Sequence, residues 1–133
     1  VPLMKDVGLE AEWQVIYGRE EFFNATKLMH NALQGSEQDL TEEQWATWLE
    51  YNEINARELS EDWDVVIVHD PQPAALASLV GEKSRNWVWR CHIDTSAPNR
   101  ARTKALRASM PGFSFDASGG NVGGVSAIAS KRS

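Results

Sequence analysis

The chain has 133 residues, 42% hydrophobic and 24% charged, with 13 Lys+Arg against 19 Asp+Glu. That composition can bury the core of one ordinary domain and excludes wholesale disorder. No apolar run reaches the roughly 18 to 20 residues of a membrane helix, and the first residues do not read as a secretory leader. A single cysteine, Cys91, excludes an intramolecular disulfide framework and any zinc site built on cysteine pairs. The formal net charge of −6 argues against nucleic acid as a partner. A cytoplasmic globular domain with no membrane segment is the expectation that passes these filters.

The charge is unevenly placed. Residues 1–99 carry 7 Lys+Arg and 18 Asp+Glu, a net −11, whereas residues 100–133 carry 6 Lys+Arg and one acid, Asp116, a net +5. The composition shifts at the same point, from aromatic-rich to Ser-, Gly- and Ala-rich. Two regions are expected: an acidic globular part over 1–99 and a basic tail over 100–133.

Val1 to Gly8 reads as the end of a helix closed by glycine. Leu9, Ala11, Trp13, Val15 and Tyr17 alternate with polar residues, which is strand period. Glu20 to Leu33 has helical apolar spacing through Phe22, Thr26, Met29 and Leu33, and Gly35 caps it. Thr41 and Gln44 form a capping-box signature for a helix running to about Leu59, with Trp45, Trp48, Leu49, Asn52 and Ala56 on one side.

Asp64 to Val68 is a short continuous apolar run, the pattern of a strand covered on both faces of a parallel sheet. A Pro-containing turn and a short helix over Ala74 to Lys83 follow, then a strand over Trp87 to Ile93. Strands alternating with helices predict an α/β fold with a three-stranded parallel sheet. Three parallel strands make a poor isolated sheet, so homo-oligomer formation through an exposed sheet edge is an expectation. A chain opening on the end of a helix and then a strand is also expected to lack the strand before that helix.

Chemistry concentrates at the ends of the last two strands. In a parallel sheet the carboxyl ends share one edge, where ligands bind. His69 and Asp70 close one such strand, and His92 and Asp94 close the next. Carboxylates accept hydrogen bonds and imidazoles can donate or accept, which suits sugar hydroxyls; alternatively, each aspartate caps the turn that follows it. A metal site from His69, Asp70, His92 and Asp94 lacks ordered ligand spacing, so no metal is expected. Gly124-Val125-Ser126 lacks the closing glycine of a hydrolase elbow. The glycines over 119–124 lack the strand and helix that make a phosphate loop. Tryptophan stacks on the apolar face of a pyranose, but Trp45, Trp48, Trp87 and Trp89 at this spacing read as core, and Cys91 as buried and inert.

Four motifs occur in order: Phe22-Phe23-Asn24-Ala25-Thr26-Lys27, His30-Asn31-Ala32-Leu33-Gln34-Gly35, His69-Asp70-Pro71-Gln72-Pro73, and Trp87-Val88-Trp89-Arg90-Cys91-His92-Ile93-Asp94. Over residues 1–99 the chain resembles the N-terminal domain of the trehalose synthases of the glycosyltransferring type, in retaining GT-B family 4. The resemblance implies a Rossmann-like GT-B N-terminal half on the acceptor side of a two-domain cleft. The implied reaction is glucosyl transfer from a nucleotide-activated glucose to glucose, with no resident cofactor. It also implies that Asp70 and His92 contact sugar near the reacting centre. His69, Gln72, Asp94, Lys27 and Asn31 are the further candidates for binding it.

The donor-binding domain has no counterpart in these residues. The chain is therefore expected to bind glucose or a trehalose-like sugar, with little or no transfer by itself. The residues from 100 onward are expected to be divergent or frame-shifted. Two other classes stay open: a small enzyme repurposed for hydrolysis, and a self-associating interaction module.

Overall fold

The computed structural model describes residues 1–59, 63–80, 84–93, 99 and 108. The expected basic tail, apart from Ala108, lies outside the described residues. In chain order the elements are α1 (Pro2–Asp6), α2 (Glu20–Leu33), α3 (Glu42–Glu58), β1 (Trp63–His69), α4 (Leu76–Val80) and β2 (Ser84–Arg90). The class is α/β.

Local sequence rules account for the helix ends. Pro2 opens α1, and Gly8 closes it at φ +84°, while the Leu9 N–H donates to the Met4 carbonyl at 3.0 Å. Acidic Glu20 and Glu21 start α2, and Gly35 follows its end at φ +98°. The capping box of α3 forms: the Gln44 N–H donates to Thr41 Oγ1 at 3.2 Å, and the Thr41 N–H donates to Gln44 Oε1 at 2.9 Å.

β1 and β2 pair in parallel, with Val66 opposite Trp87 and His69 opposite Arg90. Val66 and Val68 are buried with Ala56 of α3 and Leu76 of α4, whereas Val65 and Ile67 on the other face are half-buried. The apolar run was expected to be covered on both faces; one face is only half covered. A second cluster joins Phe22, Ala25, Met29 and Leu33 of α2 to Trp48 and Tyr51 of α3, to Ala74 and Ala75, and to Ile93. Trp89 packs against both clusters and ties the sheet to the helices. Phe22 is fully buried, so Phe22→Ala would cost about 3–5 kcal/mol. The Gly18 backbone lies against the Phe22 ring so closely that a Cβ there would strike it.

Three expectations are corrected. Residues 9–17 form no strand, with only Glu10 in an isolated bridge. Strand structure needs a neighbour to complete its ladder, and this segment instead docks on α3: Asn55 donates Nδ2 to the Tyr17 carbonyl at 2.8 Å and accepts the Tyr17 N–H on Oδ1 at 2.6 Å. Among the described residues the sheet therefore has two strands, not three. The helix expected over Ala74 to Lys83 is shorter, because the proline-bearing segment before Leu76 is a turn. Leu49, expected with the apolar side of α3, is exposed. Among the described residues no helix is long and apolar enough to cross a membrane.

Candidate functional site

The register of the two strands determines what meets at their carboxyl edge. His69 pairs with Arg90, so the chain leaves both strands at the same level. The Asp70 N–H donates to the Arg90 carbonyl at 2.8 Å, which extends the ladder by one bond. Asp70 itself adopts φ +63°, the left-handed region that aspartate tolerates better than most residues but that still carries strain. Three bonds offset it. The Asp70 carboxylate accepts the His92 N–H on Oδ1 at 2.7 Å, and its carbonyl accepts Trp89 Nε1–H at 2.8 Å, in addition to the ladder bond.

This turn brings the two imidazoles together. His69 Nδ1 and His92 Nε2 are 3.0 Å apart, with ring centroids at 5.3 Å and planes 23° apart. In the neutral pair one nitrogen donates and the other accepts, so their tautomers are coupled. Trp13, on the segment between α1 and α2, lies against the other side of the row, its ring centroid 5.2 Å from that of His69. His92 is exposed, while His69 and Asp70 are half-buried. Of the four residues expected at the strand ends, His69, Asp70 and His92 lie together.

Gln72 follows on a turn that is fixed from beneath. Pro71 is fully buried, and Trp48, 1% exposed, donates Nε1–H to the carbonyls of Pro71 at 3.0 Å and Gln72 at 3.1 Å. Asn52, one turn along α3 and also 1% exposed, donates Nδ2–H to the Gln72 carbonyl and to the Trp48 carbonyl, both at 2.9 Å. The Gln72 side-chain oxygen is buried and has no donor among the described residues. Asn52 Oδ1 is in the same condition.

The other candidates are not drawn in. Lys27 is exposed and Asn31 half-buried, one turn apart on α2, and no hydrogen bond or ring contact joins either to the strand-end group among the described residues. The Asn31 carbonyl accepts the Ser36 N–H at 2.9 Å, a helix-end bond. Asp94 lies outside the described residues. Among those residues no group of three or more His, Cys, Asp or Glu is placed to hold a metal ion. Cys91, half-buried rather than fully buried as expected, has its thiol pushed upward chiefly by burial, which disfavours the thiolate.

Sequence reasoning missed two features. The Trp48–Asn52 clamp was signalled by an asparagine within the apolar stripe of α3, since a buried amide needs partners. Trp13 was signalled only by its place on an alternating segment.

The result is a helix-packed parallel α/β unit with a His/Asp group on its carboxyl edge, the usual ligand edge of such sheets. Comparison with known proteins identifies its lineage. Residues 1–115 match the family model described as trehalose synthase, N-terminal domain. The chain is 54% identical over 106 residues to a trehalose synthase of Rubrobacter xylanophilus, covering 75% of this chain and 25% of the relative. It is 52% identical over 109 residues to trehalose synthases of Thermococcus litoralis and Pyrococcus furiosus, covering 80% of this chain and 26% of each relative. The chain belongs to the trehalose synthase N-terminal domain family, and it spans about a quarter of the length of the curated relatives it matches.

Proposed function

We propose that this chain is the acceptor-side portion of a trehalose-synthase-type glucosyltransferase, and that its strand-end group binds glucose or a trehalose-like sugar through its hydroxyls. In this reading residues 1–99 are part of a Rossmann-like GT-B N-terminal half. Residues 100–133 are a separate basic tail. The nucleotide-glucose donor is held by residues other than these 133, and no resident cofactor is needed. The protein is cytoplasmic.

One observation carries the reading: Asp70 and His92 meet at the strand ends with polar capacity to spare. Asp70 spends Oδ1 on the His92 N–H, and its Oδ2 has no hydrogen bond among the described residues. His92 spends Nε2 on His69, and its Nδ1 likewise has none. Gln72 adds a buried acceptor without a donor. A sugar hydroxyl both donates and accepts, so a polyol can satisfy carboxylate, imidazole and amide oxygen together. Asp70 orients an acceptor hydroxyl by accepting its proton in a hydrogen bond.

Calorimetric titration of the 133-residue chain with glucose, trehalose and a nucleotide-glucose tests it. Glucose or trehalose should give saturable heat, and both Asp70→Ala and His92→Ala should abolish it. Undiminished binding in both variants rejects the assignment.

A further inference from the structure

The tryptophans divide clearly by environment. Trp48 and Trp63 are buried, while Trp45, Trp87 and Trp89 are partly buried and packed on the core clusters. Among the described residues Trp13 is the tryptophan left in water, 61% exposed. Its position is nevertheless fixed on both sides: Ala11 is buried, Ile16 packs on the core, and Asn55 holds both backbone groups of Tyr17. An indole exposed to this degree on an anchored backbone leaves a large apolar surface available to a ligand.

Trp13 also adjoins the strand-end group. The rings of Trp13, His69 and His92 form a row with centroid spacings of 5.2 and 5.3 Å, and Asp70 is bonded to the far member. The indole is tilted 57° from the His69 ring. A flat apolar surface therefore borders a set of hydroxyl-binding groups. A glucopyranose has the matching form, with a face of C–H groups and an edge of hydroxyls.

We infer that Trp13 is the stacking wall of the sugar site, covering the C–H face of a glucopyranose whose hydroxyls engage Asp70 and His92; this rests on the sugar-binding reading above. A phosphate-bearing ligand is disfavoured at the same place, because residues 1–99 carry a net −11 and the Asp70 carboxylate faces the ligand. Val15, 82% exposed, and Tyr17 continue the apolar surface beyond Trp13, so contact with a second copy of the chain is the competing use of this indole.

The test is titration of the 133-residue chain with glucose and with trehalose, read by tryptophan emission and by saturation-transfer NMR, on wild type, Trp13→Phe and Trp13→Ala. Wild type should bind, with an emission change that disappears in Trp13→Phe. Trp13→Ala should bind about tenfold more weakly, the loss of roughly one aromatic contact, and Trp13→Phe should retain most of the affinity. Equal affinity in all three proteins overturns the inference while leaving sugar binding intact. So does an emission change that persists in Trp13→Phe, a readout that needs no alanine variant to fold. Retained sugar affinity with a change in sedimentation assigns the indole to chain–chain contact and also overturns it. A wild type that binds neither sugar rejects the sugar-binding reading itself, and the Trp13 assignment with it.

Discussion

Asp70 accepts the backbone N–H of His92 at 2.7 Å across 22 residues of sequence, from a left-handed backbone conformation. The bond joins the ends of β1 and β2 and sets the position of the His92 ring beside His69. Strain at Asp70 and order at His92 are therefore two sides of one arrangement.

Substitutions at Asp70 should separate these contributions. Asp70→Asn keeps an acceptor and tolerates the left-handed region, so it should be nearly neutral for stability. Asp70→Gly relieves the backbone but loses the acceptor, costing roughly 1 kcal/mol. Asp70→Ala loses both, costing roughly 2–3 kcal/mol. Urea midpoints in the order Asn, Gly, Ala are expected; equal midpoints would remove the strain argument.

The clamp beneath Pro71 and Gln72 should matter more to stability than its exposure to ligand suggests. Trp48→Phe leaves two carbonyls without their indole donor and opens space, costing roughly 3 kcal/mol. Asn52→Ala removes the other donor to Gln72 and costs roughly 2 kcal/mol. Both serve the same carbonyl, so a double-mutant cycle by chemical denaturation should give a coupling of roughly 0.5 kcal/mol or more; strict additivity would contradict the shared clamp.

A pH dependence should arise where α2 meets α3. Tyr51 Oη–H donates to Glu21 Oε1 at 2.5 Å. That bond pushes the Tyr51 phenol up to about 12 and holds the Glu21 carboxyl below its ordinary value. The Tyr51 contribution is full below the unfolded phenol value of about 10 and is lost as pH rises from there toward 12. The Glu21 contribution is present above the ordinary carboxyl value and is lost as pH falls below it. Thermal melts across pH should show the wild-type advantage over Tyr51→Phe shrinking at both extremes; a constant difference would contradict the linkage.

Cys91 should be a slow nucleophile. Its half-buried thiol is pushed upward by burial, and the nearby Asp70 charge acts in the same direction. Alkylation at neutral pH should be well below that of a free small thiol and should rise sharply in denaturant. Reaction at the rate of a free thiol would contradict the packing.

The helices were legible because their signals are local: the Thr41–Gln44 box and the apolar spacing of α2 need no tertiary partner. The parallel pairing of β1 and β2 followed from the alternation of strands and helices. The strand expected over Leu9 to Tyr17 failed because an alternating pattern specifies extended backbone, not the neighbour that makes it a strand. At the candidate site, the convergence of His69, Asp70 and His92 could be read from the strand ends, because register places such ends together. The Asp70 backbone conformation, the Trp48–Asn52 clamp and the approach of Trp13 to His69 could not, since each depends on contacts between residues far apart in sequence.

Histidine NMR tests the carbohydrate assignment most directly, because the chain has three histidines and His30, on α2, serves as an internal reference. On titration with glucose, the side-chain resonances of His69 and His92 should shift along one saturable curve while those of His30 stay fixed. Unmoved resonances at all three, or an equal shift at His30, would contradict a sugar pocket at the strand ends.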